Sequence, residues 1–173
     1  MADTQSTDTQ AVFHDVHAIL SSSERDFLVR NDGNQVKIES LKGKKVGLYF
    51  SASWCGPCRQ FTPALVEVYD ELSSKGDFEV VFVSRDKDEE AFKGYFSKMP
   101  WLAIPFSDSE ARDSLKELFK LRVIPYLVIL DENGKVLTNS GVGIIREHGV
   151  EGYPFTPEKI AQLAEIGKAK EAT

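Results

Sequence analysis

The stretch Gly47-Leu48-Tyr49-Phe50-Ser51-Ala52-Ser53-Trp54-Cys55-Gly56-Pro57-Cys58-Arg59-Gln60-Phe61-Thr62-Pro63 changes its apolar period half-way along. Val46 to Phe50 is a short, mostly apolar run between Lys45 and Ser51, the pattern of a strand buried on both faces. From about Pro57 to Leu72, Phe61, Leu65, Val68, Tyr69 and Leu72 recur at helical spacing. The two cysteines therefore fall where a strand hands over to a helix. Pro57 suits the first turn of that helix, where a missing N–H costs little. Cys55 then faces unpaired backbone N–H groups and the positive end of the helix dipole, both of which stabilise a thiolate. Cys58 lies one turn on, within reach to close a disulfide or resolve a mixed one.

On the N-terminal side, Phe13, Val16 and Leu20 are spaced as a short amphipathic helix in an otherwise polar extension over 1–20. Arg25 to Arg30 and Gln35 to Glu39 flank Asp32-Gly33 and predict a hairpin. On the C-terminal side, Phe78 to Val83 predicts a second buried strand. Phe92, Tyr95, Phe96 and Met99 mark a helix over 88–99 that Pro100 stops. Asp108 or Ser109 caps a helix carrying Leu115, Leu118 and Phe119. Tyr126 to Leu130 is a strand, Glu132-Asn133-Gly134 turns it, and Lys135 to Thr138 pairs back. Thr156-Pro157-Glu158 opens a last helix. Strands alternating with helices predict an α/β fold: a mixed central sheet, helices on both faces, and an N-terminal β-hairpin extension. The expected domain spans 21–163, with 164–173 a frayed helix end or linker.

The chain has 173 residues, 42% of them apolar and 28% charged, with eleven Phe and five Tyr, which excludes disordered and collagen-like classes. A chain of this length buries roughly 70% of its unfolded surface and needs no disulfide staples. The net charge of −6, without a Lys/Arg block, argues against nucleic acid or an anionic membrane as partner. No apolar run approaches a membrane span. The polar, acidic first residues do not read as a signal peptide, and Glu171-Ala172-Thr173 matches no retention address. A reducing compartment, cytoplasmic with the nucleus as a second site, is the expected location. There a close cysteine pair is catalytic or metal-binding.

The pair has alternative readings. A lone Cys-x-x-Cys is also half a zinc site, which His14 and His17 would have to complete across the helix start. A c-type haem would need His where Arg59 stands. Two inert buried thiols would leave Gly56-Pro57 between them unexplained.

The quoted segment resembles the active-site segment of thioredoxin-fold proteins, and more narrowly that of nucleoredoxins and tryparedoxins. Phe82-Val83-Ser84-Arg85-Asp86 and Tyr95-Phe96-Ser97-Lys98-Met99-Pro100-Trp101-Leu102-Ala103-Ile104-Pro105-Phe106 resemble nucleoredoxin as well. Leu20 to Gly33 resembles the opening of the first domain of a plant nucleoredoxin. Gly56 follows the plant nucleoredoxin pattern, where tryparedoxins usually have Pro. The resemblance covers about Leu20 to Leu163.

It implies a protein-disulfide reductase with Cys55 as nucleophile and Cys58 as resolving cysteine. Trp54, Gly56, Pro57, Ile124 and Pro125 would contact substrate, and Ile124-Pro125 would carry a cis peptide facing the cysteines. An extended Ile124 backbone could then pair with a substrate strand. Pro63 would kink the helix. No bound cofactor, metal or nucleotide is implied, and no Gly-x-Gly-x-x-Gly fingerprint occurs. Electrons would come from thioredoxin reductase and NADPH, or from glutathione. Partners would be oxidised proteins, met by a monomer or by one domain of a longer multi-domain chain. The alternative is a redox-sensing interaction module whose Cys55–Cys58 state gates a partner.

The chain departs from the thioredoxin pattern at Tyr49, where thioredoxins usually have a buried Asp behind the resolving cysteine. A neutral phenol is no base at pH 7. Glu67, Asp86 and Glu90 are the candidates to take the proton of Cys58 instead.

Overall fold

The computed structural model describes residues 13–172, with side chains to residue 165. The elements in chain order are α1 (Val16–Leu20), β1 (Phe27–Val29), β2 (Gln35–Lys37), β3 (Lys45–Ser51), α2 (Gly56–Ser73), β4 (Phe78–Ser84), α3 (Glu89–Phe96), β5 (Leu102–Ala103), α4 (Ser109–Leu118), β6 (Tyr126–Leu130), β7 (Val136–Thr138), α5 (Gly141–His148) and α6 (Pro157–Ala172). Short 3₁₀ turns occupy Ile38–Leu41 and Gly149–Gly152.

Seven strands form one mixed sheet in the order β2-β1-β5-β4-β3-β6-β7. β3 runs parallel to β4 and β4 parallel to β5, while β6 is antiparallel to β3 and β7 to β6. All seven residues of β3 are buried, as the uninterrupted apolar run requires of a central strand covered on both sides.

The two-residue period of β3 sorts its side chains between two cores. Tyr49 enters the core made with Phe61, Leu65 and Leu72 of α2, Phe92 and Phe96 of α3, and Ile144 of α5. Val46, Leu48 and Phe50 enter the opposite core with Leu20 of α1 and Leu115 of α4. Each fully buried aliphatic or Phe side chain contributes about 1.5–3 kcal/mol, so the two faces together hold the helices to the sheet.

The cap and turn signals are obeyed, although α3 ends at Phe96 rather than Met99; tighter turns to the Tyr95 and Phe96 carbonyls carry the chain on to Pro100. Asp108 caps α4 by accepting from the Ala111 N–H at 3.0 Å, and Asp88 caps α3 by accepting from Ala91 at 2.8 Å. Gly33, at φ +90°, supplies the left-handed residue of the β1–β2 hairpin.

Two elements lack a sequence signal. β5 is only two residues long, yet Val29 of β1 pairs antiparallel with Ala103, so the N-terminal hairpin extends the main sheet at that edge. α5 contains Gly141 and Gly143, poor helix formers whose presence hides it from a propensity reading. Gly141 is required by packing: a Cβ there would lie 2.8 Å from the Leu127 side chain. α5 thereby presses directly on the strand that follows Pro125.

Candidate functional site

Cys55 follows the end of β3 by four residues and serves as the N-cap of α2. Gly56 and Pro57 form the first helical positions, where the missing N–H of Pro57 costs little. The Cys58 N–H points at Cys55 Sγ, 3.2 Å away. The two residues are joined as a disulfide, with Cα atoms 5.2 Å apart. Cys55 retains 7% of its surface and Cys58 none, so an incoming reactant meets Cys55 first.

Three segments converge on that sulfur. Trp54 is 55% exposed, and its indole N–H donates to the Arg85 carbonyl at 3.1 Å. Asp86, buried behind the loop, accepts from Ser53 N at 2.8 Å and from Ser53 Oγ at 2.6 Å. The end of β4 thus grips the loop that carries Trp54 and Cys55. From the other side, the Ile124 carbonyl oxygen lies 3.8 Å from Cys55 Sγ, and the Ile124–Pro125 peptide is cis. A second cis peptide joins Tyr153 to Pro154, far along the chain. Pro63 sits inside α2, where it removes the bond its N–H would have made to the Arg59 carbonyl.

Behind Cys58 lies a chain of buried hydroxyls. Ser51 Oγ is 2.7 Å from Tyr95 Oη, Tyr95 Oη is 2.8 Å from Thr62 Oγ1, and Thr62 Oγ1 is 2.7 Å from Tyr49 Oη. Thr62 donates its one proton to the Cys58 carbonyl at 2.8 Å, which makes it the acceptor for both phenols. Tyr95 then accepts from Ser51. Burial, followed by the neighbouring Tyr95, pushes the Tyr49 phenol well above its ordinary value of 10. The chain holds four protons at neutral pH and offers no carboxylate. Its members come from β3, α2 and α3, so only Tyr49 was visible as a candidate in the sequence.

Of the three carboxylates named as alternative acceptors, Asp86 alone is bonded to the active-site loop, while Glu67 and Glu90 are exposed. His14 and His17 do not meet the cysteines. They line a cavity of about 510 Å³ with Lys44 and Glu132, beyond the start of β3, whereas Cys55 follows its end. β3 itself separates the two places by roughly 20 Å. The zinc reading that combined these histidines with Cys55 and Cys58 is therefore set aside, and no metal-ligating cluster occurs among the described residues. No helix among the described residues is long and apolar enough to cross a membrane.

A Thioredoxin-like family model matches residues 43–136, more than half of the chain and the whole strand–cysteine–helix unit. The chain belongs to the thioredoxin-like family. It is 66% identical over 151 residues to probable nucleoredoxin 1 of Arabidopsis thaliana, covering 87% of this chain and 26% of that protein. It is 42% identical over 145 residues to human nucleoredoxin, covering 83% and 33%. Native tryparedoxin I from Crithidia fasciculata superposes with a TM-score of 0.72 at 45% identity, over 76% of this chain and 92% of that one. The chain thus spans about a quarter to a third of the length of the nucleoredoxins it matches. The paired cysteines, the sheet and the flanking helices are those expected of a thioredoxin-like dithiol protein.

Proposed function

We propose that this chain reduces disulfides in proteins by dithiol exchange. The observation that carries the reading is the placement of Cys55: capping α2, bonded to buried Cys58, and rimmed by exposed Trp54 and the Ile124 carbonyl. In the reduced form the Cys55 thiolate attacks a substrate disulfide, so a Cys55–substrate bond forms as the substrate S–S bond breaks. The departing substrate sulfur takes up a proton. Cys58 loses its proton and attacks Cys55 Sγ, which expels the second substrate sulfur as a thiol. Two electrons have passed to the substrate, and the Cys55–Cys58 disulfide remains.

Substrate contacts fall to Trp54, Gly56, Pro57, Ile124 and Pro125, the residues that surround the reacting sulfur. Ile124 sets its main chain beside Cys55, where a substrate segment can lie extended and exchange backbone hydrogen bonds. Recharging requires two electrons from a separate source, an NADPH-dependent thioredoxin reductase or two molecules of glutathione that leave as glutathione disulfide. Oxidised cytoplasmic or nuclear proteins are the corresponding partners.

The test is insulin reduction with thioredoxin reductase and NADPH, and then with glutathione, as separate reductants. Catalytic turnover with either is expected. Redox-dependent binding of proteins without turnover would replace the reductase reading by that of a redox-sensing module.

A further inference from the structure

We propose that this chain selects disulfides flanked by acidic residues, through a basic collar around Cys55 on an otherwise acidic molecule. The inference deepens the reductase reading and rests on it.

Three segments meet beside Cys55: 53–60, 84–87 and 120–125. Trp54 joins the first two by its bond to the Arg85 carbonyl, and Cys55 Sγ joins the first and third by its approach to the Ile124 carbonyl. Their charged residues are Arg59, Arg85, Asp86, Lys87, Lys120 and Arg122. The sole carboxylate, Asp86, is buried and turned inward onto Ser53 and Ser84. Five cations therefore lie within four residues of Cys55, Arg85 or Ile124 although the whole chain carries −6; of the carboxylates just beyond these segments, Glu89 faces Lys93 on α3 while Glu90 and Glu117 are exposed.

Arg59, Lys87, Lys120 and Arg122 are exposed, and among the described residues none of the four has a carboxylate within ion-pair distance. Arg59 is held in place by donating to the Ser53 carbonyl at 3.0 Å. Arg85 reaches the exposed Asp113 at 3.4 Å. Asp88, next along the chain, is occupied as the cap of α3. The same segments expose two large apolar side chains, Trp54 and Val123, the latter 65% exposed. The three segments thus offer exposed apolar side chains together with positive charge. Such a field raises the encounter rate of an acidic partner and depresses that of a basic one, with a strong dependence on salt.

The test compares two synthetic peptides that share one disulfide loop with a central Leu, one flanked by Glu and the other by Lys. At low ionic strength kcat/KM is expected to favour the Glu peptide by about tenfold or more, and the ratio to fall toward one at 1 M salt, where screening acts within about 3 Å. The double variant Lys87→Glu, Arg122→Glu should lose rate on the Glu peptide and gain it on the Lys peptide. Misfolding cannot produce that gain. Equal rates on both peptides at low salt, with both reduced, would overturn the charge selection alone. Reduction of neither peptide would overturn the reductase reading beneath it.

Discussion

The phenol of Tyr49 lies 2.7 Å from Thr62 Oγ1, and Thr62 in turn donates to the carbonyl of Cys58. The residue that stands where thioredoxins usually have an acid is thereby tied to the backbone of the resolving cysteine. Proton counting gives the chain a direction: Ser51 donates to Tyr95, Tyr95 and Tyr49 donate to Thr62, and Thr62 donates to Cys58. Every proton is committed and the outlet is a carbonyl, so the chain orients the first turn of α2 without taking a proton from Cys58.

Tyr49→Phe removes one donor from that chain and no base. Disulfide reduction at pH 7 is expected to fall less than tenfold, a barrier change under about 1.4 kcal/mol. Because the phenol is pushed above its ordinary value, wild type and variant should share one pH–rate profile between pH 6 and 9. A loss of a hundredfold in a folded variant, or a divergence of the two profiles, would show that the hydroxyl takes part in proton transfer.

Thr62 is the hub of the hydroxyls, since it accepts from both phenols. Thr62→Val removes the acceptor that both buried phenols share, leaving Tyr49 only a 3.5 Å contact to the Cys58 carbonyl, and is expected to lower stability by about 1–3 kcal/mol. Thr62→Ser should restore most of that loss. Urea unfolding of the two variants measures the difference, and equal midpoints would contradict the hub role.

Alkylation should distinguish the cysteines. In the reduced protein limiting iodoacetamide is expected to label Cys55 before Cys58, because only Cys55 caps the helix at the surface. Peptide mass spectrometry reads the order. Cys58→Ser should trap substrates as mixed disulfides, and Cys55→Ser should trap none.

Asp86 acts on Cys55 through Ser53, two residues before it. Asp86→Ala frees the Ser53 N–H and loosens the Trp54 loop. The value of kcat/KM for insulin is expected to drop about threefold to tenfold, under about 1.4 kcal/mol, chiefly through KM. An unchanged KM with a large fall in kcat would instead assign the carboxylate to the proton transfer of Cys58.

Asp108 provides a pH signature away from the site. Burial alone would raise its carboxyl, but the Ala111 N–H and the Arg25 guanidinium, 2.9 Å away, together hold it below the ordinary carboxylate range. A lowered folded value means that the stabilisation is fully present above about pH 4 and is lost as pH falls through the folded value. Asp108→Asn keeps a cap acceptor and loses the charge facing buried Arg25. A deficit of about 1–3 kcal/mol at pH 7 is expected, shrinking as pH falls below about 4 and through the folded value. A deficit that is constant with pH would contradict the ion-pair origin.

What the sequence by itself determined is everything written at short range. The apolar run of Val46 to Phe50, the helical spacing after Pro57 and the Asp108 cap each act within a turn or a strand. They place Cys55 at a helix start and Cys58 one turn behind it. Tertiary structure alone decided what surrounds the pair. Ser51, Thr62 and Tyr95 meet because β3, α2 and α3 pack in one core, and no periodicity links residues 33 or 44 positions apart. Asp86 reaches Ser53 because β4 lies beside β3 in parallel register, with Ser51 opposite Ser84. α5 exists against its own glycines because Gly141 leaves room for Leu127, a packing constraint that no local propensity records. The basic collar likewise forms only when three distant segments fold onto one sulfur.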